Sequence, residues 1–268
     1  MIRTLATTGT EEKINADFEF KFTADSGSST IIPIGKNWHT VGVQLSGGLD
    51  SALLLFLTAK TIKELKLNIK IQPITMFIPT KVKNIISTKS IVNKINEILD
   101  VDLINDVLLF DMPIEDAKDP IKKDQFFIDK VRKLTNDKKI NFHFNGNTKN
   151  PPEEIRKSFI NDDLRQKNRD CATSIYNSSH GASPHYGMNK QDIINLYKKN
   201  NLINDLAPLT ISCDENIWEI HKTKSSVPCG SCWWCSEREW GFESNNVKDP
   251  AKTLTYQEYL DITNEDTQ

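Results

Sequence analysis

The stretch Thr40-Val41-Gly42-Val43-Gln44-Leu45-Ser46-Gly47-Gly48-Leu49-Asp50-Ser51, running into residues 52–60, constrains this chain more than any other. An alternating apolar run ends in Ser-Gly-Gly, and apolar residues return at Leu53, Leu54, Phe56 and Leu57 with a 3.6-residue period. The pattern predicts a strand, a tight glycine turn and the start of a helix. A helix N-terminus presents unpaired N–H groups and about half a positive charge, and glycines let the backbone approach a phosphate closely. Ser46 and Ser51 add hydroxyl donors, and Asp50 adds a carboxylate that can orient the loop or hold magnesium. The stretch therefore reads as an anion site, against the plainer alternative of a strand-to-helix turn with a serine cap. It is not a Walker A loop, because no lysine stands where G-x-x-x-x-G-K-S/T requires one.

The turn is followed by more units of the same kind. Residues 70–78 form a β-rich run, 82–99 have helical spacing, and 102–110 read as a further strand. Two successive strand-helix-strand units predict a parallel sheet with its ligand at the carboxyl ends of the strands. Residues 111–139 are charge-rich and partly helical, with Phe126, Phe127 and Ile128 as packing residues; 140–144 form another strand. That strand delivers Asn145-Gly146-Asn147-Thr148-Lys149-Asn150, which is either a ligand-contacting loop or an ordinary turn. Before the anion site, Phe18, Phe20 and Phe22 alternate ahead of a turn at 25–29, predicting a hairpin that leads into 31–34. No chemistry can be assigned to that extension.

Asn189 is a good N-cap for a helix with Ile193, Ile194 and Tyr197 on one face. Lys190 would then lie in the first turn, where a cation opposes the helix dipole. That makes it a functional candidate, with a solvated surface lysine as the alternative. Segment 153–183 has little pattern and is a candidate cover, and its Cys171 reads as a small packing residue. His143, His180, His185 and His221 share no metal-binding spacing and read as surface or packed histidines.

Cys213, Cys229, Cys232 and Cys235 form C-x15-C-x2-C-x2-C. Four thiolates suit a tetrahedral zinc with no open position for water, so the site should be structural. An iron–sulfur cluster is the rival, since C-x2-C-x2-C also occurs in ferredoxin-type runs. At 268 residues the chain suits one main domain with appendages. The divisions expected are an N-terminal extension (1–36), a main domain carrying the anion site (37–212), a four-cysteine zinc subdomain (213–244) and a C-terminal tail (245–268), with Tyr256, Tyr259 and Leu260 as one docked helical turn. A net charge of −2 shows no basic field for nucleic acid. No apolar run of membrane-spanning length and no secretory h-region occurs, so a cytoplasmic protein without membrane partners is expected.

Ser46-Gly47-Gly48-Leu49-Asp50-Ser51 resembles the PP-loop of the N-type ATP pyrophosphatases, which cleave ATP between the α and β phosphates and so adenylate a substrate. With the cysteines, the chain resembles the 7-cyano-7-deazaguanine (preQ0) synthase branch. That branch's Cys-Gly-x-Cys-x-x-Cys-x-x-Arg-x-x-Ala-Phe is similar to Cys229-Gly230-Ser231-Cys232-Trp233-Trp234-Cys235-Ser236-Glu237-Arg238-Glu239-Trp240-Gly241-Phe242, and its Met-Thr-Lys-x-x-Ile to Met188-Asn189-Lys190-Gln191-Asp192-Ile193. The resemblance implies a Rossmann-like α/β fold of the adenine nucleotide alpha-hydrolase kind, with helices on both faces of a parallel sheet and a small C-terminal zinc subdomain.

It also implies that 7-carboxy-7-deazaguanine is adenylated by ATP, converted by ammonia to the amide, and dehydrated to the nitrile with a second ATP. Leu45, Ser46, Gly47, Gly48, Leu49, Asp50, Ser51 and Gly146 would line the nucleotide. Ser46, Asp50, Ser51 and Lys190 would act on it, Lys190 neutralising the carboxylate or the developing phosphate charge. A homodimer is a further implication. The chain departs from the branch in having Met76-Phe77-Ile78-Pro79-Thr80 where a Gly-Gln-Arg-His-like stretch is expected, and in a wider Cys213–Cys229 gap. Two other readings stand beside it: a divergent PP-loop ligase acting on another acceptor, and a non-catalytic zinc module binding nucleic acid by stacking through Trp233, Trp234, Trp240 and Arg238.

Overall fold

The computed structural model describes residues 2–4, 16–78, 83–117, 120–159, 162, 176–178, 180–213, 230 and 232–250. An antiparallel sheet comes first, made of β1 (Ile2–Thr4), β2 (Phe18–Thr23) and β3 (Ser29–Ile34). The central sheet follows with β4 (Thr40–Gln44), α1 (Leu49–Glu64), β5 (Lys70–Phe77), α2 (Lys83–Leu99), β6 (Leu108–Asp111), α3 (Ile114–Ala117) and α4 (Pro120–Asn136). It continues through β7 (Phe142–Phe144), α5 (Glu153–Arg156), β8 (Tyr176–Ser178) and β9 (Gly181–Ala182). After these come α6 (Lys190–Lys199), a 3-10 turn at Ala207–Leu209, and α7 (Trp233–Glu243).

The strand order is β6-β5-β4-β7-β9-β8. All neighbours are parallel except the edge pair β8 and β9, so five parallel strands form the body of the sheet. The chain moves outward from β4 to β5 and β6, then returns to place β7 on the other side of β4. The order thus reverses between β4 and β7, the place in such a sheet whose carboxyl ends are suited to a ligand.

Alternation along the strands divides the core. Val41 and Val43 of β4, with Ile71 of β5, pack in one buried cluster with α1, α2 and α6. Ile74 and Ile140 pack on the other face with Phe127 and Leu134 of α4. Helices therefore flank the sheet. α1 is buried around most of its circumference, because the N-terminal sheet and α6 cover the side that the central sheet leaves.

The hairpin, the first two strand-helix-strand units and the helix after Asn189 stand where the pattern puts them. The strand expected over 102–110 is shorter, beginning at Leu108, with Ile104 making only an isolated parallel bridge to Ile71. Ile128, expected to pack, is 47% exposed, because Phe127 and Leu134 take the inward face of α4. Cys171, His221, Cys229 and the docked turn at Tyr256–Leu260 lie outside the described residues. No helix among the described residues is long and apolar enough to cross a membrane.

Candidate functional site

The turn 45–51 leaves the carboxyl end of β4, and the loop 145–150 leaves that of β7. Both lie where the strand order reverses. Leu45 anchors the turn. It is fully buried, donates its N–H to Ile74 O (2.9 Å), and accepts from Thr75 Oγ1 (2.6 Å). Gly47 sits at φ +82°, a left-handed conformation that side chains rarely adopt, which explains a glycine at the sharpest point. Its carbonyl is held by Ser87 Oγ (3.0 Å) and Ile211 N (2.8 Å).

Gly48 caps α1 in an extended conformation, with no side-chain cap. Ser51 closes the turn: its Oγ accepts from Ser46 N (3.1 Å), donates to Gly48 O (3.2 Å), and lies 3.1 Å from the exposed Ser46 Oγ. The first-turn N–H groups of α1 have no intrahelical acceptor, so they form the positive pole of the turn. Gly146 packs beside that pole, where a Cβ would stand 3.3 Å from Ser51 N. Of the residues expected to line the nucleotide, the structure thus gathers Leu45 to Ser51 and Gly146 in one place.

Lys190 reaches this place from the first turn of α6. It is 3% exposed and donates to both carboxylate oxygens of Asp50 at 2.6 Å, with Glu237 of α7 at 3.6 Å. Two carboxylates thus face the buried Lys190 amine, the pairing that a cationic side chain taken out of water requires. The capping box of Asn189 and Asp192 fixes the helix start that carries it.

Sequence reasoning missed two other groups at the turn. Tyr197 donates its hydroxyl to Leu49 O (2.9 Å), and burial pushes its phenol well above the usual value. His185 Nε2 lies 3.2 Å from Asp50 O, and burial holds the imidazole down at about 4. Tyr197 was visible only as a member of an apolar face, and His185 had no periodic signal.

Cys213, Cys232 and Cys235 converge near the C-terminus, their sulfurs within 4.8 Å of one another and all three residues buried. Cys232 is the N-cap of α7 and Cys235 lies in its first turn. Hydrogen bonding to Cys213 and Cys232, together with burial, pushes the Cys235 thiol far up. Three buried sulfurs this close suit a bound cation, and a soft metal fits the donor set. Trp233 packs edge-on to Phe159 and donates Nε1 to Asp162 (3.1 Å). Arg238 is buried and clamped by Asp249, Thr210 and Ala207, so neither it nor Trp233 presents a face for stacking a base.

No family model matches the chain, and no curated protein matches it. Among solved structures, it is similar to the U34-tRNA thiolase NcsA from Methanococcus maripaludis with its 4Fe-4S cluster. The two share 12% sequence identity over 78% of this chain and 73% of that one, with a TM-score of 0.39.

Proposed function

We propose that the chain is an ATP-using enzyme of the PP-loop kind that converts a carboxylate, 7-carboxy-7-deazaguanine, to its amide and then its nitrile. The carboxylate oxygen attacks the α-phosphorus of ATP and pyrophosphate leaves. Ammonia displaces AMP to give the amide, whose oxygen is adenylated by a second ATP. Loss of AMP and the remaining nitrogen protons gives the nitrile.

The observation that carries this reading is the Ser46–Ser51 turn on the N-terminus of α1, set where the strand order reverses, with a buried lysine behind it. The first-turn N–H groups and the Ser46 hydroxyl would hold the leaving pyrophosphate, a task of charge stabilisation and positioning. Asp50 gives both oxygens to Lys190, so its role is to hold the loop, and magnesium would arrive on the nucleotide's own phosphates. Lys190 acts through Asp50. Cys213, Cys232 and Cys235, with Cys229 as fourth ligand, would hold a structural zinc that supplies folding energy to the C-terminal segment.

The stretch Met76-Phe77-Ile78-Pro79-Thr80 favours a second reading, the same adenylation chemistry on a different acceptor. Purified protein incubated with ATP, magnesium, ammonium and 7-carboxy-7-deazaguanine is expected to yield AMP, pyrophosphate and the amide or nitrile, with Ser46→Ala inactive. AMP without base conversion would move the acceptor elsewhere. No cleavage of ATP would overturn both readings.

A further inference from the structure

Two successive carbonyls at the start of α1 accept from side chains outside the helix: Leu49 O from Tyr197, and Asp50 O from His185. A peptide unit is planar. Holding the Leu49 carbonyl therefore aims the Asp50 N–H, and holding the Asp50 carbonyl aims the Ser51 N–H. These are first-turn donors, the groups that would face an anion. A carbonyl only accepts, so His185 must carry its proton on Nε2. Its Nδ1 lies 2.6 Å from Thr30 Oγ1, a hydroxyl shared with Met188 Sδ at 2.8 Å. Thr30, His185 and Met188 are all fully buried.

Thr30 belongs to β3, in the extension to which the sequence assigned no chemistry. The same extension grips α6, the helix of Lys190. Ser26 Oγ donates to the Asp192 carboxylate (2.6 Å), the residue that completes the capping box. Asp25 N donates to Asn195 Oδ1 (3.0 Å), Lys199 Nζ donates to Thr23 O (3.0 Å), and Ile31 N donates to Pro184 O (3.1 Å). The N-terminal sheet thus reaches the turn by two routes, through His185 to the backbone of Asp50 and through α6 to its side chain.

We propose that His185, fixed in its Nε2–H tautomer by the Asp50 carbonyl and held in place by Thr30 of the N-terminal sheet, is a positioning residue of the phosphate turn, and that the hairpin over 16–34 is part of the ATP site. The inference rests on the ATP reading for its kinetic consequence only. Burial keeps the ring neutral through the physiological range, so it carries one N–H; Asp50 O, which only accepts, settles where, and Thr30 holds the ring there.

The test compares wild type, Thr30→Val, Thr30→Ser and His185→Gln. Ring nitrogen NMR should show Nε2 protonated in the wild type. Thr30→Val, which removes the hydroxyl at nearly constant shape, should speed amide exchange across residues 46–55 by about 3–10-fold, with β4 and β7 unchanged. The KM for ATP should rise by a similar factor with kcat less affected, and Thr30→Ser should restore both. His185→Gln, which keeps an N–H donor, should fall between. The proposal is overturned by an Nδ1–H tautomer, by Thr30→Val matching wild type, or by exchange that accelerates everywhere at once. A wild type that cleaves no ATP would sink the ATP reading, while tautomer and local exchange still decide the positioning role.

Discussion

Lys190 is a surface-type side chain in a core position, and its hydrogen bonds explain why. Removing one member of a buried ion pair costs about 3–5 kcal/mol, since the partner charge stays behind. Here two carboxylates would stay behind, those of Asp50 and Glu237. His143 is the opposite case, a polar group that nothing at the site uses. It is 9% exposed, its Nε2 has no hydrogen-bond partner among the described residues, and burial holds it down at about 4. Its folded value lies below its unfolded value of about 6.5. The unfolded chain therefore binds the proton first as pH falls, and stability is full above about 6.5 and declines toward 4. His143 and His185 should each contribute a slope of about 1.4 kcal/mol per pH unit in that window. His143→Leu is expected to remove one of the two slopes and to add about 1 kcal/mol at neutral pH, by deleting an unpartnered polar atom. Urea unfolding at neutral pH and at pH about 5 measures both; an unchanged slope would show that His143 does not titrate with folding.

Among the elements, α7 matters for the face it turns to α6. A Cβ on Gly241 would stand 2.6 Å from Lys190 Cγ and 3.1 Å from its carbonyl oxygen, so only glycine lets the helices meet this closely. Gly241→Ala should cost about 1–3 kcal/mol by overpacking and lower ATP cleavage by displacing Lys190. Gly187→Ala, whose Cβ meets nothing within 4 Å among the described residues, serves as the control in both assays. Wild-type turnover in Gly241→Ala would show that Lys190 tolerates the shift. The same pair of helices shows what a sequence can reveal. The β4–turn–α1 unit and α6 were legible because their signals are local: alternation, glycines, an N-cap, a 3.6-residue period. That Lys190 was out of place in a first turn was also legible, but its partner lies 140 residues away and the sequence holds no trace of the distance. β8 and β9 were missed because strands of three and two residues leave no measurable period. His185 and Thr30 were missed because a buried relay is defined by its partners alone.

At the scale of the molecule, the cysteine cluster and the Ser46–Ser51 turn are ends of one short structure. Ile211 donates its N–H to Gly47 O, and Cys213 follows two residues later. Ser87 Oγ bridges Gly47 O and Leu209 O at 3.0 and 2.6 Å. Arg238 of α7 donates to Thr210 O and Oγ1 and to Ala207 O, while Asp249 neutralises it. The segment 207–213 is thus pinned to α7 on one flank and to the turn on the other. If metal holds Cys213 against Cys232 and Cys235, removing it frees that segment and the carbonyl grip on Gly47. Stripping the metal with a chelator should therefore lower thermal stability and also raise the KM for ATP. Linkage makes the second effect reciprocal: if metal tightens ATP by some factor, ATP must tighten the metal by the same factor. A metallochromic competition assay with and without ATP measures one side, and ATP titration of loaded and stripped protein measures the other. Equal factors above one would show the two sites coupled through 207–213, and Arg238→Lys, which loses the forked contacts, should shrink both factors together. A metal that leaves without changing ATP affinity would reduce the cysteines to a clamp on the C-terminal segment.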